Sequence, residues 1–315
     1  TAPTGRSGGG ASSGGARRIL TRGSSSRTSS LACGDSEGQV LAAGAWQRLD
    51  ADPAPPQRQS ATLTTVGARL LMFGGRQGDT TFLNDTWIFD TASCMWTCVR
   101  ESDVLHNIVA AANDGAAPTP RWAHSAVCFG ERVLFFGGSA PGRCFNDLHW
   151  FDMRSLTWRR QTVASGTLPL ARSGHCACAL GDAMFVFGGN TTKSSFNDLW
   201  EYATLEASWK LVRRASGTSP SGRVGHTLTA IGSRLLVLGG REYTTNQFDA
   251  ALHSFNVRSR RWSEVPLRTP SGEPCDATLR TGHCAAVHAG RLLVFGGLNQ
   301  EAAMLDDVSS VILID

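Results

Sequence analysis

At 315 residues, with 41% hydrophobic and 18% charged positions, the chain has enough apolar material to bury roughly three quarters of its unfolded surface. Its net charge of +4 gathers at one end, where Arg6, Arg17, Arg18, Arg22 and Arg27 precede the first acid, Asp35; the near-neutral remainder argues against a nucleic-acid partner. No apolar run approaches the roughly 18 residues of a membrane helix, so no membrane role is expected.

Residues 1–44 are Gly, Ser, Ala, Thr and Arg with few bulky apolar side chains, and such a segment cannot offset its ordering entropy by burial. A disordered tail is expected there, with residues 45–315 as the folded domain. Its Arg- and Ser-rich part also matches the composition of organelle transit peptides, but the many glycines oppose an amphipathic helix. The nine cysteines are odd in number and lack framework spacing, which points to a reducing compartment, cytoplasm or nucleus.

From Trp46 onward one unit recurs. An apolar run ends on a glycine pair five times, at Gly74-Gly75, Gly137-Gly138, Gly188-Gly189, Gly239-Gly240 and Gly296-Gly297. An Asn-Asp follows at residues 84–85, 146–147 and 197–198, weakened to Phe248-Asp249 and Asp306-Asp307. A tryptophan closes the units at Trp96, Trp158, Trp209 and Trp262. Ahead of four glycine pairs stands Arg-x-x-His: Arg121/His124, Arg172/His175, Arg223/His226 and Arg280/His283; the first unit has Arg58 but Ala61. Gly188 and Gly239 are 51 residues apart, as are Gly137 and Gly188, and the remaining two intervals lengthen to 57 and 63 through insertions. Self-similarity at this period is the mark of a repeat architecture.

Each unit reads as four short strands. The second, as in Arg132–Phe136, is apolar without clean alternation and so should be buried on both faces. The glycine pair admits positive φ and a close backbone approach, Asn-Asp supplies turn chemistry, and the tryptophan wedges between neighbouring sheets. The last unit has three strands and no tryptophan, while Trp46 has no strands before it. These two halves would complete one another and close a ring, which removes exposed edges. The fold class is therefore all-β, a β-propeller with five recognisable blades. The residues before Trp46 leave room for a degenerate sixth.

The glycine pair after an apolar strand, the aromatic spacing and the closing tryptophan resemble kelch repeats over residues 46–315. The resemblance implies a monomeric, non-catalytic scaffold or adaptor that binds a protein or peptide on its loop face, with no cofactor. Kelch propellers more often have six or seven blades, against five counted here. Arg58, Arg121, Arg172, Arg223 and Arg280 precede the innermost strands and would converge at the channel mouth. Such a ring suits an acidic or phosphorylated peptide, since guanidinium binds carboxylates and phosphates bidentately. Alternatively, each arginine pairs with the repeated Asp of an adjacent turn.

The histidines recur with the blades, which favours structural hydrogen bonds over catalysis or metal binding. Cys94 and Cys98 flank Trp96 at even spacing and read as small buried hydrophobes; Cys176 and Cys178 share a face opposite His175. A metal-dependent enzyme is the alternative. A galactose-oxidase-like copper site needs tyrosines, and only Tyr202 and Tyr243 exist; an iron site like that of nitrile-specifier proteins would draw on Glu273, Asp276 and His283, whose spacing does not match. The third alternative is the propeller part of a larger protein. In the longest insertion, Val104, Leu105, Ile108, Val109 and Ala112 fall at helical spacing behind Ser102, so a lid or docking helix is expected. An Asn190-Thr191-Thr192 sequon and an Arg213-Arg214-Ala215-Ser216 phosphorylation motif are short matches of little weight.

Overall fold

The computed structural model describes residues 52–100, 117–164, 166–191, 193–213, 215–249, 251–268 and 279–312, all within one compact unit, Leu49–Asp315. The tail, the strand of Trp46, the helix expected around Val104, and Thr192, Arg214, Glu273 and Asp276 lie outside the described residues.

The described residues form five antiparallel blade sheets in a five-blade propeller arrangement, with two short two-stranded ribbons (Arg76–Gln77 with Thr81–Phe82, and Ser139–Ala140 with Arg143–Cys144), and contain no helix. Each blade is a meander whose strands pair in chain order. Blade 1 comprises Thr62–Val66, Arg69–Phe73, Thr86–Asp90 and Met95–Cys98. Blade 2 comprises Ser125–Phe129, Arg132–Phe136, Leu148–Asp152 and Thr157–Gln161. Blade 3 runs through Cys176–Leu180, Ala183–Phe187, Leu199–Ala203 and Ser208–Leu211. Blade 4 runs through Thr227–Ile231, Arg234–Leu238, Leu252–Asn256 and Arg261–Val265. Blade 5 has three described strands, Cys284–His288, Arg291–Phe295 and Val308–Ile312.

First strands of successive blades lie side by side, so they line the centre. They are laced by backbone hydrogen bonds one residue wide. The N–H of Ala123 donates to the Ser60 carbonyl (2.9 Å), Gly174 to Ala123 (2.9 Å), Gly225 to Gly174 (3.4 Å) and Gly282 to Gly225 (2.8 Å). All five residues have positive φ, between 52° and 70°, which explains why three of them are glycine.

The cores lie between blades, not within them. Phe73, Leu71 and Ile88 of blade 1 meet Val133, Phe135 and Trp158 of blade 2. Phe136 and Trp150 meet Met184, Tyr202 and Trp209 across the next junction, and Phe185 and Phe187 meet Leu235, Phe255 and Trp262 across the third. Leu236, Leu238 and Leu252 meet Leu292 and Val294 across the fourth. This is why second strands such as Arg132–Phe136 are buried on both faces. Three closing tryptophans face the preceding blade: Trp158 lies 4.6 Å from Phe73, Trp209 4.9 Å from Phe136 and Trp262 5.6 Å from Phe187, centroid to centroid, whereas Trp96 packs on Phe89 of its own blade.

The glycine pair has a steric reason as well. A Cβ on Gly137, at φ 64°, would stand 2.9 Å from the Arg172 carbonyl oxygen and 2.9 Å from His175 Cε1 of the next blade. One expectation fails locally. Cys94 sits in the turn before the fourth strand of blade 1, at φ 56°, with its thiol 3.7 Å from the Thr91 carbonyl, and so does not share the strand face with Cys98.

Candidate functional site

The repeated arginines turn inward. Arg121, Arg172, Arg223 and Arg280 are 0–3% exposed, and the Arg58 side chain is nearly as buried. Arg172 shows the arrangement. Its Nη1 and Nη2 donate to the two carboxylate oxygens of Asp198 at 2.6 and 2.9 Å. Nη1 also donates to the Gly188 carbonyl (2.9 Å) and Nε to the Leu170 carbonyl (3.0 Å), so four of the five N–H donors are engaged. Arg121 holds Asp147, Arg58 holds Asp85 and Arg280 holds Asp307 by the same two-pronged fork, whereas Arg223 reaches Asp249 through Nη2 and one carboxylate oxygen. The guanidinium planes of Arg121 and Arg172 also lie over Phe145 and Phe196, at 4.2 and 4.3 Å.

This is the internal pairing that the repeat left open as the alternative. The donors that would bind an acidic ligand are already spent on carboxylates and carbonyls of the same blade, so the five arginines anchor the glycine pair to the third strand. The Asp residues, legible only as turn formers, are their partners. A constant offset of 26 or 27 residues between Arg and Asp was the available signal.

Each Asp also takes a side-chain donor from its third strand. Trp87 and Trp200 donate to Asp85 and Asp198, both at 2.6 Å; His149 and His253 bond Asp147 and Asp249 at 3.0 and 2.8 Å; Ser309 donates to Asp307 at 2.7 Å. Burial by itself would raise the Asp147 carboxyl, but the bonds from His149 and Arg121 outweigh it and hold the group well below the usual range.

The four blade histidines are clamps between blades. His124 Nε2 bonds Thr62 Oγ1 (2.9 Å), His175 bonds Ser125 Oγ (2.9 Å), His226 donates to the Phe187 carbonyl (3.2 Å) and His283 bonds Thr227 Oγ1 (3.2 Å). Burial, reinforced by the neighbouring Arg121 and Arg223 charges, pushes His124 and His226 down to about 3, so both are neutral.

What remains open to a ligand lies on the loops. A cleft of about 450 Å³ on blade 2 is lined by Thr119, Arg143, Phe145, Asn146, His149 and Arg160. Arg143 and Arg160 are exposed, and Arg143 stacks over Phe145 at 4.6 Å. Neither arginine belongs to the repeated pattern, which is why motif spacing did not find them. Among the described residues no three His, Cys, Asp or Glu side chains gather as a metal site would require.

Residues 21–240 match the model of the KLHDC2/KLHL20/DRC7 Kelch-repeats domain, and residues 222–266 match the Kelch motif. The chain belongs to the kelch-repeat family. It is 31% identical over 264 residues to human Kelch domain-containing protein 3, covering 78% of this chain and 65% of that protein. It is 28% identical over 291 residues to mouse Kelch domain-containing protein 1, covering 84% and 67%. A third relative is Acyl-CoA-binding domain-containing protein 4 of Arabidopsis thaliana, 31% identical over 185 residues, covering 58% and 26%. The chain thus spans about 65% of the first curated relatives it matches.

Proposed function

We propose that this kelch propeller is a non-catalytic protein-interaction platform whose loop face takes an acidic or phosphorylated segment of a protein partner. The observation that carries the reading is the contrast between two sets of arginines. The repeated set is buried and paired within its blades, whereas Arg143 and Arg160 stand exposed in a cleft beside Phe145. Exposed guanidinium groups with an aromatic floor suit carboxylates and phosphates. Membership in the kelch family supports protein binding as the general role. The nine cysteines, odd in number and without framework spacing, support action in the cytoplasm or nucleus.

The test is fluorescence anisotropy with an array of acidic, phosphorylated and neutral peptides, on the wild type and an Arg143→Ser/Arg160→Ser variant. Acidic peptides are expected to bind in a salt-dependent way and to lose about 10-fold or more in the variant, whose melting temperature stays unchanged. Equal binding by both proteins would place the partner elsewhere on the loops. A second reading, a propeller working inside a larger protein, is favoured by the 65% coverage of the human relative. In that case the peptide site serves to recruit a target to an activity carried by other domains.

A further inference from the structure

The linker from blade 3 to blade 4 differs from its counterpart one blade earlier. Both carry Ala-Ser-Gly-Thr, at residues 164–167 and 215–218, and both lie against the turn that opens the next blade's fourth strand. Ala164 donates its N–H to the Ala207 carbonyl (2.8 Å), and Ser216 donates to the Arg260 carbonyl (3.1 Å). The turn beside the earlier linker, residues 204–208, holds no arginine; the equivalent residues 257–261 hold Arg258, Arg260 and Arg261. Together, residues 207–217 and 256–263 carry six basic side chains and no acid. The fold makes no use of much of this charge. Arg213, Arg258 and Arg261 are exposed, and their guanidinium groups take no partner among the described residues.

Ser216 stands among these arginines. Its carbonyl accepts from the Trp262 N–H at 2.7 Å, and with the bond to Arg260 this makes a parallel bridge between Ser216 and Arg261. Bridge partners send their side chains to the same side, so those of Ser216 and Arg261, both exposed, leave the backbone together. Arg260 Nη2 reaches back to the Arg213 carbonyl (2.7 Å), three residues ahead of the serine. The Ser216 hydroxyl makes no hydrogen bond among the described residues. The carboxylate that lines the adjoining cleft, Asp198, is already held by Arg172 and Trp200.

We infer that Ser216 is the target of a basic-directed serine kinase, and that the arginines around it receive the phosphate it gains. In that step Ser216 Oγ attacks the γ-phosphorus of ATP; the new O–P bond forms as the bond to ADP breaks, and the hydroxyl proton passes to the kinase's base. Arg213 and Arg214, three and two residues ahead in the chain, offer guanidinium forks to carboxylates of the kinase. Among the described residues two backbone bonds tie Ser216 to blade 4, so the segment lifts into a kinase cleft without opening a blade sheet. Once it returns, a phosphate of about −1.5 to −2 charge stands on the side of Arg261, adds charge-assisted bonds and fastens the linker to blade 4. Arg-Arg-x-Ser or Thr also occurs at residues 159–162 and 260–263. Ser263, however, lies within the strand Arg261–Val265 with its hydroxyl 3.4 Å from the Ser254 carbonyl, and the turn that follows Thr162 in the next blade has no arginine to receive a phosphate.

The 315-residue chain is incubated with γ-labelled ATP and a purified serine kinase that selects arginine two and three residues before its target, and the modified site is located by peptide mass spectrometry. Phosphate is expected at Ser216. Ser216→Ala should abolish that uptake, and Arg213→Ser should slow it by ~10-fold or more. Both unmodified variants should melt with the wild type, because neither side chain has a partner to lose. The phosphorylated chain should melt about 2–4 °C higher at low salt, with a smaller gain at high salt and roughly half the gain or less in Arg261→Ser. No uptake at Ser216 by the folded chain, or uptake confined to Thr162, Ser165 or Ser263, would overturn the assignment of the site. A phosphorylated chain that melts no higher than the unmodified one, or gains equally with Arg261→Ser, would overturn the part given to the arginines.

Discussion

Acidification from about pH 7.5 to 5 should remove much of the stability of this propeller, and the blade histidines set the size of the loss. His124 and His226 are held at about 3 and His283 at about 4, each first by burial and then by the adjacent arginine charge. His175 is lowered for the same reasons. In the unfolded chain each returns to about 6.5. Between roughly pH 6.5 and the folded values the unfolded state therefore binds more protons, and stability falls as pH falls. The contribution is fully present above about pH 7 and is lost progressively on the way down. At pH 5 each of the three with a stated value costs about 2 kcal/mol, or about 6 kcal/mol together, and His175 adds in the same direction. That is a large part of the 5–15 kcal/mol typical of a folded protein. The Asp147 and Asp249 carboxylates, also held low, add their own loss only below about pH 4, so they do not confuse this window. Urea unfolding followed by tryptophan fluorescence across the range measures it. A His226→Gln variant should be less stable at neutral pH but flatten the pH slope by about a quarter. A change of less than about 1 kcal/mol between pH 7.5 and 5 would refute the argument that these histidines are clamped neutral.

Further outcomes can be read by thermal and urea unfolding. Arg172→Ala leaves Asp198 without its fork and should cost about 3–5 kcal/mol, while Arg172→Lys recovers only part, because an ammonium cannot match the bidentate geometry. Gly181→Ala, at φ 59° with open space around it, should cost about 1 kcal/mol from backbone strain alone. Gly188→Ala, at φ 69° with His226 Cε1 2.8 Å from the new Cβ, should cost about 3 kcal/mol or more. Trp209→Ala should cost about 3–5 kcal/mol, and Trp96→Ala distinctly less, since Trp96 is only partly buried.

Much of this protein was settled by local chemistry repeated along the chain. Glycine pairs, apolar runs and closing tryptophans each dictate something within a few residues of themselves: a positive φ, a doubly buried strand, a large wedge. Because they recur, the blade, the order of its strands and the five-fold repetition were all legible before any coordinates. The periodicity of the histidines likewise marked them as structural, and their bonds to Thr62, Ser125 and Thr227 fit that.

Only the tertiary structure decided what each charged side chain faces. Arg172 and Asp198 are 26 residues apart, and whether a guanidinium points into the channel or into its own blade depends on how the second strand carries Gly188 between them. Sequence spacing contains no such direction. Arg143 and Arg160 were invisible for the complementary reason: exposed groups carry no period, and the two come to line one cleft only because the segment between the second and third strands of blade 2 folds beside its fourth strand. The exposure of Phe295 belongs to the same class: it reads in sequence like Phe73 or Phe187, yet it is 48% exposed where they are fully buried, because local pattern records what a residue is suited to pack against and not what the fold sets beside it.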